Sequence, residues 1–140
     1  MIFISPTYFD AVCAHGEAAY PEECCGAMLG LVKATGEKHI TQIVPLENHA
    51  AEIRHRRFEI TAADYAELES KARAQDLILL GFYHTHPDHP ARPSATDLAY
   101  AWPFFSYIIL TVSAGKAGEM AAFVLDEDTM QFVSEQLHKG

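Results

Sequence analysis

Apolar residues along this chain fall into two rhythms, helical stripes and short unbroken runs, and together they predict an α/β succession of elements. From Ser5 to about Tyr20, Tyr8, Ala11, Val12, His15, Ala18 and Ala19 recur at helical spacing. Ser5 suits the N-cap, Pro6 the first helical position and Pro21 the stop. Glu23 to Val32 is a short apolar run between Pro and Gly, which fits a buried strand. The turn Ala34-Thr35-Gly36-Glu37 then leads into a second strand from Lys38 to Leu46. Glu47 to Glu59 has weak periodicity and reads as a surface loop.

Thr61 is a good N-cap for a helix reaching Ala74, with Asp64 placed to complete a capping box and Asp76 at its end. Leu77 to Tyr83 is the most hydrophobic run of the chain and reads as a central strand. Pro87, Pro90 and Pro93 interrupt regular structure, and Ser94-Ala95-Thr96-Asp97 has the form of a helix start running on to Trp102. Tyr107 to Val112, Met120 to Leu125 and Met130 to Val133 read as further strands. The last two are joined by Asp126-Glu127-Asp128 and followed by a frayed polar tail.

The length of 140 residues suits one domain spanning 1–140, large enough to bury a core without a disulfide or structural metal, so any metal is expected to be functional. A formal net charge of -9 argues against nucleic acid or an anionic membrane as partner. The N-terminus lacks the pattern of a signal peptide and no apolar run reaches membrane-spanning length, which predicts a cytoplasmic protein. Cys13, Cys24 and Cys25 are an odd set without a C-x-x-C spacing and are read as thiols, the last two as packing residues.

His84 and His86, two residues apart at the end of the central strand, would point to one face with Cα atoms ~6.6 Å apart. That spacing suits one metal ion. A catalytic zinc needs three protein ligands and leaves a position for water, and Asp97 can be the third. A hydrolase also needs a carboxylate to take a proton and pass it to the leaving group, for which Glu23 is the candidate. Singly, each residue has an ordinary reading: the histidines as plain surface or core residues, Asp97 as a helix cap, and Glu23 as a solvated turn residue.

Together, His84-Thr85-His86-Pro87 and Ser94-Ala95-Thr96-Asp97, with the seven positions from Pro87 to Pro93 between His86 and Ser94, resemble the JAMM (MPN-plus) metalloprotease signature. Pro21-Glu22-Glu23-Cys24-Cys25-Gly26 is similar to the P-x-E-x-x-G opening of the family's small prokaryotic branch. The resemblance spans nearly the whole chain. It implies a mixed central sheet flanked by helices, in the cytidine-deaminase-like MPN (JAB/MPN) fold. It also implies zinc bound by His84, His86 and Asp97, Glu23 as general acid/base, and Ser94 as oxyanion support. Glu22 is the rival base, but strand alternation would send Glu22 and Glu23 to opposite faces, and the motif favours Glu23.

Small stand-alone members of the family resemble enzymes that act at the Gly-Gly-like tail of ubiquitin-like or sulfur-carrier proteins, so the implied reaction is hydrolysis of an amide there. The competing reading is a module that keeps its zinc and docks such carriers without catalysis. A deaminase would need H-x-E and P-C-x-x-C motifs, which the chain lacks. His89 is expected to be exposed. Arg54, His55, Arg56 and Arg57 form the one basic cluster, a solvated face or a contact for acidic groups of a protein substrate. His15, His39, His49 and His138 have no ligand-spaced partner, and Trp102, Phe104, Phe105 and Tyr107 read as core or rim. Oligomeric state is not specified by these patterns.

Overall fold

The computed structural model describes residues 1–47, 61–99 and 101–140. Their strands form one eight-stranded mixed sheet, ordered β7-β6-β5-β4-β2-β3-β1-β8. The elements are β1 (Ile2–Ile4), α1 (Pro6–Ala19), β2 (Cys25–Val32), β3 (Lys38–Leu46), α2 (Ala62–Ala74), β4 (Ile78–Pro87), α3 (Ala95–Ala99), β5 (Ser106–Ser113), β6 (Lys116–Asp126), β7 (Gln131–Glu135) and β8 (Leu137–Lys139). The expected loop from 48 to 59, with His49 and the Arg54-to-Arg57 cluster, lies outside the described residues. None of the described helices is long and apolar enough to cross a membrane.

The helix ends follow local chemistry. The Ser5 hydroxyl accepts from the Tyr8 N–H at the start of α1, and Pro6 needs no N–H partner there. At α2, Thr61 and Asp64 make the reciprocal capping box, with both N–H groups satisfied by the opposite side chain.

One core cluster joins Val12 of α1 to Met28, Leu80, Tyr83, Ile108 and Leu110 of the sheet. The other joins Leu68 and Ala72 of α2 to Ala27, Leu29, Leu79, Phe82 and Tyr107. Side chains alternate along a regular strand, yet Leu79 and Phe82 share the α2 face while Leu80 and Tyr83 share the other. A bulge explains this: Met28 faces Gly81 and Leu29 faces Leu79, so Leu80 is one residue too many. Glycine is needed at 81 because a Cβ there would stand 1.9 Å from the Ser106 carbonyl oxygen.

Several boundaries differ from expectation. The central strand, expected as a hydrophobic run from Leu77 to Tyr83 with both histidines at its end, pairs through them as far as Pro87, because parallel pairing with β5 runs on to Pro87 opposite Val112. The missing N–H of Pro87 is harmless at a strand's last residue. α3 ends at Ala99, short of Trp102. The tail is not frayed: β8 pairs in parallel with β1, and Phe3 stacks between His39 and His138 at 4.5 and 4.8 Å. The run from Glu23 enters the sheet only at Cys25, where pairing with Leu46 and His84 begins.

Candidate metal centre

The bulge in β4 sets which way the chain's histidines face. Beyond Phe82, which meets Tyr65 of α2 edge to face at 5.2 Å, alternation places His84 and His86 on that same side of the sheet. Thr85 turns the other way, toward Gly16 of α1. The Nε2 atoms of His84 and His86 are 3.2 Å apart. The Asp97 carboxylate spans them, with Oδ1 3.2 Å from His84 Nε2 and Oδ2 3.2 Å from His86 Nε2.

Asp97 owes its place to the start of α3. Ser94 donates its N–H to Asp97 Oδ2 at 2.8 Å, and the Ser94 hydroxyl accepts the Asp97 N–H at 3.1 Å. The capping box and the approach to the histidines therefore coexist in one side chain. Ser94 itself is exposed, and its hydroxyl proton is not used in that cap.

His86 Nδ1 lies 2.9 Å from the Pro90 carbonyl oxygen. A carbonyl can only accept, so Nδ1 carries a proton; Nε2, turned to Asp97 and His84, donates to the carboxylate when the ring is protonated and offers its lone pair when the ring is neutral. Burial lowers the His84 pKa against the pull of Asp97, so this imidazole is neutral. Burial would also lower His86, but hydrogen bonds to Asp97 and Pro90 and the nearby carboxylates outweigh it and raise that group. Asp97 is held well below the carboxylate range, because its hydrogen bonds to both histidines and the Ser94 N–H overcome the cost of burial.

Glu23 is buried at 6% exposure while Glu22 is exposed, so the two neighbours do occupy different environments. The Glu23 segment is tied to β4 by Thr85: its hydroxyl accepts the Cys24 N–H at 2.9 Å, and its own N–H donates to the Cys24 carbonyl. A carboxylate oxygen of Glu23 and one ring nitrogen each of His84 and His86 lie within 4.8 Å of one another. Burial, with Asp97 adding repulsion and His86 opposing, pushes the Glu23 pKa up from 4.5 to about 7. A carboxyl at that value can exchange protons in both directions near neutral pH.

Two donor sets can thus be drawn, one with Glu23 and one with Asp97 as the third group beside the histidines. Donors at about 2.0–2.2 Å from a tetrahedral zinc lie roughly 3.3 Å from one another. The His84, His86 and Asp97 separations match that spacing, and Glu23 lies within 4.8 Å of both histidines. Two neutral or neutralisable imidazoles and an ionised carboxylate are a donor set that fits a divalent cation such as zinc.

Other expected residues fall as follows. His89 is exposed. Cys24 and Cys25 are buried, and burial raises them to about 11 and about 12, so they stay protonated thiols. His15, read as having no ligand-spaced partner, has Nδ1 2.7 Å from the hydroxyl of Tyr83 and borders the same cavity as Glu23. Gly26 makes room for that tyrosine, since a Cβ at 26 would fall 2.2 Å from its ring. A cavity of about 180 Å³ opens between His15, Glu22, Glu23 and Glu47. Sequence reading missed the ties made by Thr85 and by the Pro90 carbonyl, which no local pattern marks.

Comparison with known proteins places these features in context. The family described as prokaryotic homologs of the JAB domain matches residues 5–126. The desampylase of Haloferax volcanii is 33% identical over 90 residues, which are 64% of this chain and 62% of that protein. Tail tip assembly protein K of Escherichia phage N15 is 31% identical over 90 residues, 64% of this chain and 32% of that protein. The chain thus spans less than two-thirds of either relative.

Among solved structures, a Desulfitobacterium hafniense protein aligns with TM-score 0.85 and 25% identity over 100% of this chain and 93% of its own. One from Salinibacter ruber aligns with TM-score 0.76 and 40% identity over 100% and 92%. The JAB1/MPN domain protein of Archaeoglobus fulgidus, at TM-score 0.62 and 16% identity over 99% and 98%, shares the fold.

Proposed function

Because this chain belongs to the prokaryotic homologs of the JAB domain, we propose that it is a zinc-dependent peptidase or isopeptidase. Its substrate in this reading is an amide bond at the C-terminal tail of a ubiquitin-like or sulfur-carrier protein. The observation that carries the reading is the mutual 3.2 Å spacing of His84, His86 and Asp97 beside a carboxyl that titrates near neutrality. The relative named desampylase supports a ubiquitin-like protein conjugate as substrate.

In this reading His84 and His86 offer Nε2 and Asp97 offers its carboxylate to the metal. When bound, a divalent cation makes water acidic enough to attack near neutral pH and polarises the scissile carbonyl. The chain's own residues do the rest. The Pro90 carbonyl keeps the His86 lone pair on Nε2. Glu23, in its ionised form, takes the proton from the attacking water; in its protonated form it delivers that proton to the departing nitrogen, so no net proton is consumed. The Ser94 hydroxyl, whose oxygen is occupied by the Asp97 N–H, has its proton available for the oxygen that becomes negative.

Metal content and cleavage of carrier fusions with Gly-Gly tails, compared between wild type and Glu23→Gln, test this directly. The expected result is zinc in both proteins and cleavage only by wild type. Zinc in both with cleavage by neither would leave the docking module as the function. Protein that binds no zinc would overturn the assignment of the site.

A further inference from the structure

We infer that Asp88 is a positioning residue for the metal centre, acting through the Pro90 carbonyl on the orientation of His86. This rests on the reading of His84, His86 and Asp97 as metal ligands. The observation is a junction two residues beyond His86 that the proposed chemistry does not use. Asp88 Oδ2 accepts from the Tyr20 hydroxyl at 2.7 Å, and Oδ1 accepts from the Ala114 N–H at 2.9 Å. Its own N–H donates to the Val112 carbonyl at 2.8 Å. One residue thereby fastens the end of α1, the exit of β4 and the turn between β5 and β6.

The backbone shows why that fastening reaches the metal site. Asp88 sits at φ 57°, a left-handed conformation that a non-glycine residue adopts at some cost and that Asp and Asn tolerate best. This kink ends β4 and turns the chain back, so that within two residues the Pro90 carbonyl meets His86 Nδ1. Other ties also hold the loop: the Thr111 hydroxyl donates to the His89 carbonyl at 2.9 Å, and the Arg92 N–H donates to the Pro90 oxygen at 2.8 Å. Among the described residues, the Asp88 side chain connects the kink to the C-cap of α1, through Tyr20. Groups that orient a ligating imidazole commonly change metal affinity by roughly 10- to 100-fold when removed.

The test uses three variants that divide the junction. Asp88→Gly permits the left-handed backbone and removes both side-chain bonds; Asp88→Asn keeps the shape and can satisfy both partners; Tyr20→Phe removes one bond without touching the backbone. Zinc affinity is measured by chelator competition on folded protein. The His86 tautomer in metal-stripped protein is read from long-range ¹H–¹⁵N correlations. The expected result is an affinity roughly 10- to 100-fold weaker in Asp88→Gly, a mixed His86 tautomer in that variant, and recovery of both in Asp88→Asn. Tyr20→Phe should weaken binding by roughly threefold.

Wild-type zinc affinity with an unchanged tautomer in Asp88→Gly would overturn the inference and leave the metal site standing. Failure of the wild type to bind zinc would overturn the site and this inference with it. If Asp88→Gly does not fold, Tyr20→Phe decides: unchanged affinity and tautomer there overturn the coupling.

Discussion

Replacing Glu23 by Gln should stabilise the metal-stripped protein, and only on the alkaline side of about pH 5. In the unfolded chain Glu23 ionises near 4.5, while in the folded protein burial delays ionisation to about 7. Below 4.5 both states hold the proton and the residue contributes nothing to pH dependence. Between 4.5 and 7 the unfolded chain gives up its proton first, so wild-type stability falls as pH rises; above 7 the full cost is present. The interval of about 2.5 pH units corresponds to at most roughly 3.4 kcal/mol at 1.36 kcal/mol per unit. Because Glu23 borders a cavity open to Glu22 and Glu47, solvent screening reduces this, and about 2 kcal/mol is the expected size.

A neutral Gln of the same shape does not carry that cost. With an unfolding entropy of about 0.3 kcal/mol/K for a chain of this length, Glu23→Gln should melt about 7 °C higher than wild type at pH 8. At pH 4 the two should melt together. Melting curves in chelator from pH 4 to 8 measure it. The acid-side loss caused by the low pKa of Asp97 enters both proteins and cancels in the difference. A difference that does not vary over that range would refute the placement of an ionisable, poorly solvated carboxyl beside the histidines.

Three further outcomes follow from the same geometry. Zinc at about 100 times its dissociation constant should stabilise the stripped protein by about 2.7 kcal/mol, seen as a rise in melting temperature; His84→Ala should abolish the rise, and a rise that survives would place the metal elsewhere. Gly26→Ala sets a methyl 2.2 Å from the buried Tyr83 ring and should cost about 1–3 kcal/mol in urea unfolding; a neutral effect would mean that ring can move freely. Thr85→Val removes the acceptor of the buried Cys24 N–H and should cost about 1–3 kcal/mol, with cleavage falling further than stability because Glu23 is next in the chain; equal stability and equal cleavage would show that the tie is dispensable.

What could be read from the sequence was what local chemistry decides. The caps at Ser5 and Thr61 and the box at Ser94 and Asp97 involve residues three apart, so their hydrogen bonds are written in neighbouring letters. The same is true of the hairpin from β2 to β3. β1 and β8 are three residues each and depend on distant partners, β1 lying between β3 and β8 with Ile2 beside Lys38 and Leu137, which no local pattern announces. The continuation of β4 past Tyr83 depends on β5 arriving alongside. At the site, the spacing of His84 and His86 suggested a metal pair, and the family resemblance added Glu23 and Asp97 as candidates beside it. The Pro90 carbonyl, Thr85 and Asp88 could not be named in this way, because the first acts through backbone geometry and the other two through side-chain bonds to residues far along the chain, Cys24 for Thr85 and Tyr20 and Ala114 for Asp88.

The extra residue at Leu80 separates two messages carried by one strand. Upstream, the parity of the chain is fixed by the need of Leu79 and Leu80 to enter opposite cores; downstream, it decides which of two neighbouring residue types is shown to Asp97. Deleting that single residue would leave every hydrophobic residue upstream in place and still rotate everything after it by half a turn. The imidazoles would then lie against α1 and a lone hydroxyl would occupy their former station. The chemistry of this protein is in that sense gated by counting, one residue more on β4 than on β2.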